Sequence, residues 1–425
     1  MNIPKNNLPR IVVIGGGFAG ISLIKKLQKE KVQIVLFDRH NYHTFQPLLY
    51  QVSTAGLEPD SIAYPLRKIF RKNKNFYFKL ATVERINAED QKVITNIGEL
   101  SYDYLVIATG TKTNFFGNSN IETYSMPMKT ISQALDIRSL MLQNIEAADR
   151  SEDPVTRKAC LNFVVAGAGP TGVELAGALA EFRKGILEHD YPSLAEAEMQ
   201  VHLLEGGDRV LAPMSKTASK NAQKSLEKLG VHVHLNTKVT DYDGMTVSTE
   251  NEKEFKAMTF IWAAGVTGAP VEGLNMSEVL TRGNRFKVDR YNKIEGLENI
   301  YALGDVAFME TEAYPEGHPQ VAQPAIQQGK TLGDNFKRMF RNKTLKKFKY
   351  FDKGTMATIG RNKAVVDVKK LSFGGAIAWF MWMFVHLWYL VGFRNRVVTF
   401  FNWTYNYINY DRAARLIIRP FKKPN

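Results

Sequence analysis

Short apolar runs closed by glycine or by an acid recur along the chain, and their length predicts buried parallel strands. Ile11-Val-Val-Ile14 runs into Gly15-Gly-Gly17-Phe-Ala-Gly20, and Phe163-Val-Val-Ala166 runs into Gly167-Ala-Gly169-Pro-Thr-Gly172. Each loop opens into a helical pattern, so each reads as strand, glycine turn and helix. A second apolar run follows each helix and ends on an acid: Gln33-Ile-Val-Leu-Phe-Asp38 and Val201-His-Leu-Leu-Glu205. A third closes on glycine, in Tyr104-Leu-Val-Ile-Ala-Thr-Gly110 and Phe260-Ile-Trp-Ala-Ala-Gly265. Gly110 follows Gly15 by 95 positions and Gly265 follows Gly167 by 98, so the chain holds two copies of one arrangement.

The pattern is that of a dinucleotide-binding unit. The first glycine permits the tight turn, the second lets a pyrophosphate approach the backbone, and the third lets helix pack on strand. The phosphate charge meets unpaired N–H groups at the positive end of the helix. Asp38 and Glu205 stand where a carboxylate accepts hydrogen bonds from ribose hydroxyls. Glu205 would repel a 2′-phosphate, and Gly206, Gly207 and Asp208 follow it before the nearest cation, Arg209, which favours NADH over NADPH. A later run, Asn299-Ile-Tyr-Ala-Leu-Gly304-Asp305, puts another acid at a strand tip. A helical stretch covers 321–340, with short strands at 353–360 and 364–367; residues 181–200 read as an extended helix and connection.

Toward the C-terminus the pattern changes. Residues 373–393 carry no formal charge, and eight of these 21 residues are aromatic. The length would allow a bilayer crossing, but Trp and Tyr favour the headgroup boundary, and here they run through the whole segment. A monotopic anchor lying in the interface is expected, with a span or a buried dimer interface as alternatives. Residues 397–411 read as a second helix with Asn402, Asn406 and Asn409 on a polar edge, and Arg412, Arg415, Arg419, Lys422 and Lys423 as cations for anionic lipid.

Composition narrows the function. A chain of 425 residues supports two or three domains, and its only cysteine, Cys160, excludes the redox pair of a disulfide reductase or sulfide-oxidising flavoprotein. A reducing compartment follows, and no export signal is expected in the polar stretch before Ile11. The net charge of +14 calls for an anionic partner; no aromatic-and-basic motif supports nucleic acid. Basic runs lie at 61–83, 337–353 and from Arg394 onward. His232 and His234 read as ordinary strand residues, and no metal site is expected.

Several stretches carry a family resemblance: 38–56 (Asp38-Arg-His-Asn-Tyr-His-Thr-Phe-Gln-Pro-Leu-Leu-Tyr), 166–177, Ala322-Gln-Pro-Ala-Ile-Gln-Gln-Gly329, and His386-Leu-Trp-Tyr-Leu-Val-Gly-Phe-Arg-Asn-Arg396. Together these resemble the type II NADH dehydrogenases (NADH:quinone oxidoreductases), which are two-dinucleotide-binding flavoproteins. The resemblance implies an α/β fold of two Rossmann-like domains plus a C-terminal helical membrane-anchoring region. It implies an FAD-binding domain in two parts (1–113 and 287–340), an NADH-binding domain (114–286) and the anchor (341–425). On that resemblance Gly15, Gly17, Phe18, Ala19, Gly20, Asp38, Arg39, Val83, Thr109, Gly110, Gly304 and Asp305 would bind FAD, with Phe45, Gln46 and Pro47 near its ring. Gly167, Gly169, Pro170, Thr171, Gly172, Glu205, Ala264 and Gly265 would hold NADH. Gln323 and Gln327 would approach the ring of a membrane quinone, either menaquinone or ubiquinone.

The same resemblance implies a non-proton-pumping enzyme on the cytoplasmic face of the cell membrane, and a homodimer. Some relatives carry a lysine in the membrane helix, and 379–390 offers none; His386 is the titratable substitute there besides Tyr389. Glu174, one turn into the second phosphate helix, is the expected proton relay to reduced quinone. A soluble NADH-dependent reductase of a small electron carrier, or an NADH-responsive flavoprotein acting through partner binding, remain alternatives.

Overall fold

The computed structural model of the protein describes residues 1–187, 190–194, 199–369, 371–409 and 415–422. Asp411, Arg412 and Lys423 and the side chains of Asn406 and Asn409, assigned above to the tail, lie outside the described residues. Two compact units form: 1–43, 64–112 and 266–352 make the first, and 44–63, 113–265 and 353–425 the second. Segment 44–63 packs in the second unit, and 266–286 packs in the first.

The first unit is built on a parallel sheet in the order Ile300–Ala302, Tyr104–Ile107, Arg10–Ile14, Gln33–Asp38, Phe76–Leu80. Side chains alternate between its faces, and both faces are apolar. Ile11, Val13, Ile34 and Leu36 join Leu23, Leu332 and Phe336 of the helices, whereas Val12, Ile14, Val35 and Phe37 join Ile86 and Val93 of a three-stranded antiparallel layer. Burial on both sides is why these strands read as unbroken apolar runs. Helix Phe18–Leu27 lies directly on helix Ala322–Met339, where a methyl at Gly329 would stand 2.4 Å from the Ala19 carbonyl oxygen.

The second unit repeats the plan: Met126–Pro127, Thr259–Trp262, Asn162–Ala166, Gln200–Leu204, Val231–His234, all parallel. In both units the strand before the glycine loop sits between the strand ending in the acid and the strand closing on glycine. Helix Pro170–Phe182 continues into one π-helical turn at Arg183–Leu187. Over that helix lies an antiparallel sheet of Thr355–Thr358, Ala364–Val368 and Leu371–Gly375, with a methyl at Gly177 only 2.8 Å from the Gly360 nitrogen.

The uncharged stretch 373–393 is not one continuous helix. Its start is the last strand of that sheet; helix Ala376–Tyr389 follows, then a break at Gly392 with φ +93°, and helix Phe393–Asn409. Among the described residues no helix is long and apolar enough to cross a membrane.

Candidate functional site

Both glycine loops have the geometry that their spacing predicts. At Gly15 φ is +106° and a Cβ would stand 2.3 Å from the Ala108 carbonyl oxygen; at Gly167 φ is +97° and a Cβ would stand 2.6 Å from Ala264 Cα. The third glycines are equally constrained, with a Cβ at Gly20 meeting Gly15 O at 2.1 Å and one at Gly172 meeting Gly167 O at 1.8 Å. The middle glycines, Gly17 and Gly169, have nothing within 4 Å of that position. Within each loop, open space at the middle glycine is what a phosphate approaching the backbone requires.

The helices they begin share a further feature. Phe18–Leu27 and Pro170–Phe182 start at Gly17 and Gly169 without a side-chain cap. Among the other helices Thr130 and Gln133 close a capping box on Ile131–Arg150, Asp153 caps Pro154–Leu161 and Ser215 caps Lys216–Lys228, while Ala322–Met339 and Ala376–Tyr389 also lack a side-chain cap. An anion fits the pair that open from the glycine loops. Ala19 and Gly20 are buried in the first helix, whereas Pro170 and Thr171 are exposed at the mouth of the second.

The two acids also match. Asp38 accepts from the Gly16 N–H (2.6 Å) and the His40 N–H (2.7 Å); Glu205 accepts from Ala168 (2.7 Å) and Gly207 (2.8 Å). Each carboxylate thus grips the middle of its loop and keeps further lone pairs for a ribose. Arg209 donates to the Ala212 carbonyl (2.6 Å), so the nearest cation is engaged away from a 2′-phosphate. Arg39 and Ala264 are exposed beside their loops, and Val83 is half-buried in strand Val83–Asn87. Gly265 lies against the exposed ring of Phe116, whose Cζ would be 2.8 Å from an added Cβ.

In the first unit Gly304 has φ +70°, and its N–H donates to Oε1 of the buried Gln328 (2.7 Å). The Thr109 hydroxyl donates to the Ala269 carbonyl (2.6 Å), and Gly110 has open space around it at φ +71°. Gln320 donates to the Asp305 carbonyl (3.1 Å). His43 is buried and donates from Nδ1 to the Gly16 carbonyl (3.1 Å), with Phe18 edge-on to its ring and its Nε2 unpaired; burial holds it down at about 4. An orphaned nitrogen beside a phosphate loop is what a cofactor site leaves when described without its cofactor. Gln323 is half-buried, and the Gln327 amide is engaged at both ends by the backbone of Phe351, each bond 2.9 Å.

In the second unit Glu174 is enclosed. Its carboxyl accepts from the Thr358 N–H at 3.3 Å, and the Trp382 indole N–H faces it without closing a hydrogen bond. Burial dominates these partners and holds the carboxyl up at about 8. Tyr50, also buried and pushed up by desolvation and by Glu174, shares a hydrogen bond with the Thr358 hydroxyl (3.0 Å). Phe45 is buried edge-on to His386 at 6.0 Å, while Gln46 is exposed and Pro47 half-buried in the turn beside it. His386 donates from Nδ1 to the Trp382 carbonyl (2.8 Å), and burial holds it down at about 4. Its Nε2 is therefore an acceptor at neutral pH, so His386 holds no proton to give there.

Several residues here carry no mark in the sequence. Asn395, 2% exposed, donates to the carbonyls of Asp60 (2.8 Å), Ser61 (3.2 Å) and Ala63 (2.9 Å), and Trp403 donates to Gln51 Oε1 (2.8 Å). The tail's cations differ from expectation: Arg415 pairs with Asp190 and Arg419 with Asp136, so neither presents a free charge to lipid. Cys160 is buried against Met258. Among the described residues no cluster is suited to a metal ion; His202 Nδ1 and His234 Nε2 share a hydrogen bond of 3.2 Å, and His232 shares one with the Gln200 side chain.

Comparison with known proteins places these features in context. Residues 9–329 match the pyridine nucleotide-disulphide oxidoreductase family, and 353–409 match the NDH2 C-terminal domain. The chain is similar to the type II NADH:quinone oxidoreductase NdhA of Mycobacterium tuberculosis, 37% identical over 96% of this chain and 89% of that one. It is 29% identical to the type II NADH:quinone oxidoreductase of Haemophilus influenzae over 84% of this chain and 86% of that one. The structure of NDH2 from Plasmodium falciparum in complex with NADH shares the fold, with a TM-score of 0.88 at 21% identity over 97% of this chain and 100% of that chain.

Proposed function

The chain belongs to the type II NADH:quinone oxidoreductases, and from that premise we propose how its residues share the transfer of electrons from NADH to quinone. FAD, when bound, would supply the two-electron chemistry that links NADH to the quinone. The loop at Gly15, Gly17 and Gly20 holds the FAD pyrophosphate and Asp38 its ribose, with Thr109, Gly110, Gly304 and Asp305 shaping the rest of that site. The loop at Gly167, Gly169 and Gly172 holds NADH, and Glu205 selects it against a 2′-phosphate.

Reduction of a quinone to a quinol consumes two protons as well as two electrons. The hydride from NADH accounts for one, and Glu174 supplies the other. The observation that carries this assignment is a carboxyl enclosed by Tyr50, Thr358 and Trp382; that burial holds it up at about 8, so it keeps its proton at neutral pH and can release it to a developing oxyanion. Burial holds His386 down at about 4, which disfavours it as a donor at neutral pH. Gln323 approaches the quinone ring from the start of helix Ala322–Met339, and Gln327 steadies the segment around Phe351.

The quinone arrives from lipid. On helix Ala376–Tyr389, Ile377, Phe380, Phe384 and Trp388 form an exposed apolar stripe at helical spacing, continued by Phe393 and Phe401. Such a stripe lies in the membrane interface. On family grounds the surface is the cytoplasmic face and the working form a homodimer.

The test is single-turnover kinetics. Glu174→Gln should leave flavin reduction by NADH within about twofold and slow reoxidation by quinone by roughly 10²-fold or more, the usual contribution of one acid catalyst. Equal rates in both half-reactions would remove Glu174 from the proton path.

A further inference from the structure

Helix Ala376–Tyr389 turns most of its large aromatic surface outward, yet Trp382 is 1% exposed. One indole is thus driven inward from a helix otherwise given to solvent or lipid. Its ring stacks on His386 (centroids 4.0 Å apart), its edge meets Trp403 of the following helix (5.7 Å), and its N–H faces the Glu174 carboxyl.

The rest of the wall is fastened to the same two helices. Trp403 donates to Gln51 (2.8 Å), Gln51 donates to the Tyr50 hydroxyl (3.0 Å), Tyr50 bonds Thr358 (3.0 Å), and the Thr358 N–H returns to Glu174 (3.3 Å). Asn395, bound to three carbonyls of 60–63, anchors the second helix at its root.

We propose that Trp382 is the positioning residue that keeps water from Glu174, so that seating of the C-terminal aromatic helices and retention of the proton destined for quinone are one event. This rests on Glu174 as the proton donor. The groups facing the carboxyl are Tyr50 from Leu49–Ser53, Thr358 from Thr355–Thr358, and Trp382 backed by His386 from the aromatic helix. Glu181, two turns further along its own helix, is engaged by the Arg361 N–H. None of these supplies a positive charge: His386 is neutral above about 4. Exclusion of water is therefore what holds the proton, and the indole is the largest part of that barrier contributed by the tail.

The experiment is the pH dependence of reoxidation of the NADH-reduced full-length enzyme by a short-chain quinone, with flavin reduction by NADH measured alongside. Wild type should be fast at low pH and slow through a midpoint near 8, where Glu174 loses its proton. Trp382→Ala admits water and should lower that midpoint by one to two pH units. A midpoint near 6 leaves about a tenth of the carboxyl protonated at pH 7 and makes reoxidation about tenfold slower there, with recovery at pH 5. Trp382→Phe keeps the cover and should keep the midpoint at or slightly above wild type. Flavin reduction by NADH should be unchanged in both.

Should Trp382→Ala fail to retain flavin, Trp382→Gln, which sets a polar amide beside the carboxyl, should lower the midpoint in the same direction. If Glu174→Gln abolishes the midpoint but neither Trp382→Ala nor Trp382→Gln moves it, the role of Trp382 is refuted. If the midpoint survives Glu174→Gln, the donor assignment itself fails.

Discussion

Replacement of the middle glycine of a phosphate loop separates binding from folding. At Gly17 φ is −77° and ψ −167°, an extended conformation open to any residue, and an added Cβ meets no heavy atom within 4 Å. Gly17→Ala should therefore change stability by no more than about 0.5 kcal/mol. The new methyl occupies the space in which the pyrophosphate must approach the first-turn amides. Displacing the phosphate removes one charge-assisted hydrogen bond, worth about 1.5–3 kcal/mol, and weakens FAD retention roughly 10- to 150-fold. Gly20→Ala is the contrast: its methyl would lie 2.1 Å from the Gly15 carbonyl oxygen, so it should cost about 1–3 kcal/mol in folding as helix and strand are forced apart. The assay is flavin absorbance per chain after exhaustive dialysis, paired with thermal unfolding of the apoprotein. Gly17→Ala that keeps full flavin at wild-type stability would show that the first loop does not hold the phosphates. Gly17→Ala that fails to fold would show that its open space belongs to the protein.

Gly169→Ala should raise the NADH concentration needed for half-maximal flavin reduction at least tenfold while flavin content stays complete, measured by stopped-flow bleaching. The carboxyl of Glu174 is raised from 4.5 to about 8, so between those values the native state holds a proton that the unfolded chain has released; stability contributed by this group is present below 4.5 and lost as pH rises through 8. Glu174→Gln should accordingly gain melting temperature over wild type at pH 8–9 and not at pH 4.5. His43, His318 and His386 are held at about 4, so the unfolded chain binds protons first and melting temperature should fall as pH drops from 6.5 toward 4. Asn395→Ala orphans three carbonyls and should loosen the tail by about 1–3 kcal/mol, seen as faster proteolysis beyond 390. Phe384→Asp should reduce vesicle binding.

The two nucleotide-binding units were legible because their physics is local and periodic. A strand buried on both faces must be an apolar run, and a phosphate loop must place glycine where Gly15, Gly20, Gly167 and Gly172 do. The acids at Asp38 and Glu205 stand out for the same reason. The packing of residues 44–63 is set by long-range contacts that the sequence pattern does not display: Asn395 and Trp403 reach back over more than 300 positions to Asp60 and Gln51. The aromatic stretch hides its division, since strand Leu371–Gly375 and helix Ala376–Tyr389 are both uncharged and only Gly375 and Gly392, both at positive φ, mark the turns. Glu174 was visible from its place after the loop. Its enclosure was not, because Tyr50, Thr358 and Trp382 come from three distant segments. Pairing of Arg415 and Arg419 with Asp190 and Asp136 was likewise beyond reach, since charge counting along a tail does not reveal what the tail lies against.

The central claim is that one chain carries electrons from NADH through bound FAD to a quinone, and the absorbance of the purified protein tests it most directly. Flavin bands should be present at one FAD per chain, bleach on anaerobic addition of NADH, and return when a short-chain quinone is added. A protein that is colourless and cannot be reconstituted with FAD, or whose reduced flavin stays bleached in the presence of quinone, would contradict the account.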